Sequence, residues 1–254
     1  MKNFVVLGFA LLFLAFPLGS QNQVRVKDSQ PQIRLVLLDS PPWVIENPVE
    51  GREGYSVELF REVFRRAELV FAPEYLPLAR AEAETKRDPR VLCLQLSRIP
   101  QREIQYQWVQ RVFASGLIFV NKVNKQPVQT LDQALLQGRV TVRSQSAQES
   151  FLKEKGFKNL EPVIDDYLAY RLLKAGRVDS WFTMRTRIPD IIAREGGALN
   201  QYNLGPRVGV LELYLVAHPH FPAPIIQRIQ KAYNEVLTTP FFNQLRQKYE
   251  ISEE

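Results

Sequence analysis

From residue 33 onward the chain alternates short β-rich runs with segments of helical spacing, and this alternation constrains the fold more than any other feature. Residues 33–38 (Ile-Arg-Leu-Val-Leu-Leu) read as a strand that ends in the turn cluster Asp39-Ser40-Pro41-Pro42-Trp43. Gly54 opens a helix over 55–67. Val57, Phe60, Val63, Phe64 and Ala67 line one face of it, with Glu58, Arg61, Glu62 and Arg65 opposite. A second strand begins at 69–71, residues 78–86 are helical, and 91–96 form a buried strand. Strand–helix–strand–helix–strand implies a parallel sheet with right-handed crossovers.

A second such series starts near residue 126. Residues 130–136 form a short helix ended by Gly138, and 140–142 a strand. Ser146-Ala147-Gln148-Glu149 is a capping box, and Gly156 suits the end of the helix it starts. Asp165 or Asp166 caps a further helix that stops at Gly176. A strand follows over 178–183, then a short helix over 189–195. Apolar runs at 112–120 and 208–216 flank this series, and 222–249 is helical with a break at Thr238-Thr239-Pro240. The reading is therefore an α/β chain of two lobes. Lobe 1 is discontinuous, residues 33–115 plus 210–254; lobe 2 is 116–209; two strands cross between them.

The N-terminus is of another kind. Lys2 precedes an unbroken apolar run over 4–16, followed by Pro17-Leu18-Gly19-Ser20. This is read as a secretory signal peptide over 1–20, because the run is too short to span a bilayer of about 30 Å. A polar linker, 21–32, follows. Composition then removes whole classes of function. The single cysteine, Cys93, excludes an internal disulfide framework and multi-cysteine zinc sites, and it reads as a buried core thiol. Two histidines argue against a histidine-built metal site. A net charge of +6 is scattered along the chain and fits mild attraction to anions rather than a nucleic-acid surface.

Two lobes joined by two strands create a cleft, a favoured place for small polar ligands. Candidate contacts follow the strands. Ser97-Arg98-Ile99-Pro100-Gln101-Arg102 puts a proline at a helical first turn and Arg102 within that turn, a guanidinium beside free amides suited to a carboxylate. Solvated surface charge is the alternative for Arg98 and Arg102. Across the cleft, Arg143-Ser144-Gln145-Ser146 precedes the capped helix, whose N-terminus favours anions. Trp43, held in a loop by Pro41-Pro42, is a candidate ligand wall, with Tyr75, Trp108 and Trp181 as weaker ones.

The order of these segments resembles family 3 extracellular solute-binding proteins, the periplasmic receptors of polar amino-acid ABC transporters. The run is strand, Pro-Pro-aromatic, Gly54-Tyr-Ser-Val-Glu-Leu, Pro77-Leu-Ala-Arg-Ala, Ser97-Arg-Ile-Pro-Gln-Arg-Glu and Gln107-Trp-Val. The resemblance covers about 33–250. It implies a type II periplasmic-binding-protein-like fold with two hinge strands. It also implies that Trp43 stacks on the ligand, that Arg102 clamps an α-carboxylate with Ser97 nearby, and that Ser144, Ser146 and Ala147 lie in the facing loop, where the second hydroxyl of the family's pattern is missing. Pro77-Leu78-Ala79-Arg80-Ala81 resembles a subgroup with Pro-Trp-x-Arg-Ala, so Arg80 is a candidate second cleft cation, with a helix-surface charge as the alternative. Met184 stands where the amino-acid receptors place an aspartate for the ligand ammonium, and a desolvated ammonium without a partner costs several kcal/mol. Either another acid substitutes, with Asp39, Asp166 and Glu212 as candidates, or the ligand is not an α-amino acid.

The expected function is a monomeric periplasmic receptor that captures a small, polar, carboxylate-bearing, amino-acid-like ligand for an ABC permease of the inner membrane. No cofactor, metal or nucleic acid is implied. Two alternatives stay open: a secreted cyclohexadienyl-dehydratase-like enzyme on the same scaffold, and a sensory or binding module without a transport role.

Overall fold

The first strand, β1 (Ile33–Leu37), sends alternate side chains to opposite faces. Ile33, Leu35 and Leu37 join one apolar cluster, whereas Val36 joins another with Leu38 and Cys93. A strand buried on both faces needs helices on both, which is the α/β layer logic. The computed structural model describes residues 33–136 and 138–251. The signal peptide at 1–20 and the linker at 21–32 lie outside the described residues.

After β1 the chain forms α1 (Tyr55–Arg66), β2 (Phe71–Tyr75), α2 (Leu78–Arg87) and β3 (Val91–Ser97). A single 3-10 turn, Pro100–Arg102, leads into the long strand β4 (Gln107–Lys122). Then come α3 (Leu131–Leu136), β5 (Val140–Arg143), α4 (Ala147–Glu154), β6 (Leu160–Val163), α5 (Asp166–Lys174) and β7 (Ser180–Met184). A 3-10 turn at Arg185–Arg187, α6 (Ile188–Arg194), β8 (Tyr202–Leu204) and β9 (Gly209–Ala217) follow, and α7 (Ala223–Leu237) and α8 (Pro240–Lys248) complete the described chain.

Among the described residues one sheet runs in the order β2-β1-β3-β9-β4-β7-β5-β6, with β8 on β4. β1 is parallel to β2 and β3, and β5 is parallel to β6 and β7, as two β-α-β series require. The pair that joins the halves, β4 with β9, is antiparallel over Gln107↔Ala217 to Leu117↔Gly209. The apolar clusters divide on either side of it. One pair gathers residues of β1, α1, β3, α7 and α8; the other gathers β5, α4, α5, β7 and α6. The division is not clean at β9, whose Leu211 and Leu213 pack with the second group of clusters while Leu215 and Ala217 pack with the first.

The helix ends follow local chemistry. Ser146 Oγ accepts from the Glu149 amide at 3.2 Å, and the Glu149 carboxylate takes the Gln145 amide at 2.5 Å. Asp165 rather than Asp166 caps α5, accepting from the Leu168 amide at 2.7 Å. Gly156 and Gly176 end α4 and α5 at φ 85° and 71°. The sequence reading missed β6 and β8 and began β4 too late. β6 is an edge strand that carries Pro162, a composition that weakens any strand signal. β4 carries polar residues through Gln107, Gln110 and Arg111, because that stretch has one partly exposed face.

Cys93 is fully buried on β3, and burial pushes its thiol up to about 12. The expected outcome is that an alkylating reagent at mildly alkaline pH labels Cys93 only once the protein is unfolded, read by intact mass against denaturant. Labelling of the native protein at the unfolded rate would contradict the placement of β3.

Candidate functional site

The C-terminal end of β3 and the turn after it bring one cation inward. Arg102 is only 6% exposed, and its guanidinium turns back to donate to the Ser97 carbonyl at 3.2 Å and to pair with Glu82 of α2. The second lobe brings two more. Arg143 ends β5, and Arg187, 5% exposed, ends the 3-10 turn after β7. Arg187 donates to Asp166 at 2.6 Å, and Asp166 also accepts from Trp181 Nε1 at 3.2 Å and Thr183 Oγ1 at 3.1 Å. Three donors on one carboxylate fix the position of Arg187.

These three guanidinium groups surround a small cavity of about 20 Å³ between the lobes, also lined by Leu38, Leu78, Gln95, Leu96, Ser97, Ser146, Ala147 and Gln148. That volume admits roughly one water. The polar inventory is unbalanced. Arg143 Nε, Arg187 Nε and Gln95 Oε1 are buried without a hydrogen-bond partner. Burial, then the charge of Arg187, holds the Arg143 pKa below the ordinary arginine range. No carboxylate lines this inner cavity. An outer cavity of about 770 Å³ shares Arg143 and Arg187 and adds Asp39, Tyr75, Asp165, Asp166, Tyr167 and Arg194.

The lobes meet through side chains around this centre. Tyr167 Oη donates to Asp39 at 3.4 Å, Gln101 Nε2 to Glu154 at 2.6 Å, and Trp43 Nε1 to Thr186 Oγ1 at 3.2 Å. All three contacts are between side chains and lie outside the hydrogen bonds of the sheet.

Of the residues singled out from the sequence, Ser97, Arg102, Ser146 and Ala147 come together at the inner cavity. Three do not. Trp43 is 3% exposed, stacks on Phe113 with centroids 3.6 Å apart and lines a different cavity, on the side of the hinge facing α8. Its ring is taken by the lobe's own aromatics, so it does not wall the arginine cavity. Arg80 is an exposed charge on α2, because its helical position faces away from β3. Ser144 is partly buried but lines neither cavity; its amide pairs with the Val163 carbonyl at 2.7 Å. Among the weaker aromatic candidates, Tyr75 lines the outer cavity, Trp108 lies under Arg98, and Trp181 is fully buried. Met184 is buried in the second lobe's core, opposite Leu117. The sequence reading overlooked Arg187, Gln95 and the pairing roles of Glu82 and Asp166. The usable signal was the second acid of Asp165-Asp166: one caps, so the other is free to face inward.

Neither a protein-family model nor a curated protein sequence matches this chain. Solved structures do. A histidine kinase sensor domain with similarity to periplasmic binding proteins superposes with a TM-score of 0.77 at 19% identity, covering 88% of this chain and 97% of that one. The chain has a periplasmic-binding-protein-like fold. An ancestral arginine-binding protein bound to arginine gives 0.75 at 15% identity, covering 87% and 98% of the two chains. An ABC uptake transporter substrate-binding protein from Streptococcus pneumoniae with bound histidine gives 0.74 at 16%, covering 85% and 91%. In this binding-protein-like fold the arginine cavity lies where the two lobes face each other. Among the described residues, no helix is long and apolar enough to cross a membrane.

The neighbouring aspartates have different tasks, and this sets a test. Asp165→Ala removes a cap and is expected to cost about 1 kcal/mol. Asp166→Ala strands the buried Arg187 and is expected to cost about 3–5 kcal/mol. Urea denaturation of both variants decides it; equal losses would mean that Asp166 does not neutralise Arg187.

Proposed function

We propose that this chain is an exported solute-binding receptor. It captures a small, polar, carboxylate-bearing ligand between its lobes, as a monomer in the periplasm, and presents its closed form to an ABC permease of the inner membrane. The observation that carries this reading is that arginines from both lobes face one enclosed cavity: Arg102 from the first, Arg143 and Arg187 from the second. A ligand that bridges them stabilises the closed arrangement over the open one, and closure is the signal a permease reads. Micromolar affinity corresponds to about −8 kcal/mol. Hydrogen bonds to charged groups contribute about 1.5–3 kcal/mol each, so a few such bonds from the three arginines are sufficient.

The site in this reading comprises Ser97, Arg102, Ser146 and Ala147, joined by Gln95, Arg143, Gln148 and Arg187. The similar structures named above are binding proteins and a sensor domain, which supports binding over catalysis. The lining of the inner cavity also includes neither a carboxylate nor a histidine to serve as the acid that a dehydratase needs. A sensory module is the second reading, favoured by the likeness to the kinase sensor domain. Recovery of a membrane kinase rather than a permease in a cross-linked pull-down would select it.

The test is a thermal-shift screen of small carboxylates against the wild-type protein and Arg102→Ala. At ligand concentrations about 100-fold above Kd, stabilisation is about 2.7 kcal/mol, a rise of several degrees for a chain of this size. The variant is expected to lose that rise. An undiminished rise in Arg102→Ala would remove Arg102 from the site.

A further inference from the structure

Resting on the receptor reading, the charges around the inner cavity narrow the ligand. Three guanidinium groups line it, and the two acids that pair with them, Glu82 and Asp166, stand behind the lining. Arg143 Nε is buried without a hydrogen-bond partner among the described residues, and its charge opposes that of Arg187. The Nε of Arg187, on a side chain 6% exposed, is likewise unpartnered. Two buried donors on neighbouring cations call for one carboxylate between them, and Arg102 faces the same cavity from the first lobe, where a second can lie.

Among the described residues, the lining of the inner cavity holds no acid to pair with the ammonium of a zwitterion. Met184 is buried in a core rather than aimed at the cleft. The acids nearest Arg143 beyond Asp166 are Asp165 and Asp39, and both line only the outer cavity. Asp165 is bound to the Leu168 amide, and Asp39 to the Glu46 amide and Tyr167. Glu212, the remaining substitute weighed from the sequence, pairs with Arg111 at 3.0 Å and lines neither cavity. The free polar group opposite the arginines is uncharged. Gln95, at φ 73° in a bulge of β3, donates to Ser56 Oγ at 2.9 Å and leaves its oxygen unpartnered, a site for a hydroxyl.

We propose that the interlobe site takes a small organic diacid without an amino group, a dicarboxylate or hydroxydicarboxylate. One carboxylate lies between Arg102 and the α4 N-terminus, the other against Arg143 and Arg187, and a hydroxyl meets Gln95. The diacid extends from the inner cavity into the outer one of about 770 Å³, which shares Arg143 and Arg187.

Thermal shift and calorimetry on the signal-less chain, with succinate, malate and tartrate against aspartate, glutamate, inorganic phosphate and sulfate, test this. The diacids are expected to raise Tm and the matched amino acids are not. Arg143→Met is expected to weaken diacid binding roughly 10–100-fold, while its ligand-free Tm stays equal or rises, because an unpaired buried charge is gone. Arg143→Gln gives the same reading if the methionine variant does not fold. Stabilisation by aspartate or glutamate equal to that by malate overturns the diacid assignment and leaves the receptor reading standing. A phosphate or sulfate response equal to malate's also overturns it, in favour of an inorganic oxyanion. Silence from every carboxylate overturns both.

Discussion

The buried pair Arg187–Asp166 is the interaction on which the rest of the site depends. Both side chains are 6% exposed, so neither has water to offset its charge. Such a pair is a poor source of stability, since desolvation consumes most of the attraction. What it supplies is position. Asp166 holds Trp181 and Thr183 of β7 as well as Arg187, and so ties the start of α5, strand β7 and the following turn into one rigid corner. Arg143 sits beside that corner without a counter-ion of its own. Positive charge is therefore fixed at the lobe boundary rather than free to swing away, which is how preorganised sites lower the cost of binding.

The first lobe solves the same problem with different parts. Arg102 is neutralised from behind by Glu82, one turn after the start of α2. In each lobe an acid on a helix holds an arginine on a turn, and the arginines rather than the acids line the space between.

Much of the architecture was legible because it rests on local rules. Alternation on β1, the apolar stripe of α1, the Ser146 box and the Gly156 and Gly176 stops all appear in the chain as written. Part of the inner cavity's lining was legible for the same reason, since Ser97, Arg102, Ser146 and Ala147 follow strand ends or precede a helix. The rest depends on pairing across long sequence separations. Arg187 has meaning only through Asp166, 21 residues earlier. Trp43 reads as a ligand platform until Phe113, on the crossing strand, is seen to cover its face. Arg80 and Ser144 line neither cavity for a simpler reason: sequence gives the segment, but not which side of it turns inward.

The crossing strands carry one more consequence. β4 and β9 stay hydrogen-bonded from one half of the protein to the other, and their register shifts twice, between Trp108 and Gln110 and between Arg111 and Phe113. Bulges concentrate twist. The extra twist falls on the stretch of ribbon next to the point where the chain passes from one half to the other. The ribbon is thus the common spine of both halves, and apart from it they touch through side chains such as Trp43 and Thr186 or Gln101 and Glu154.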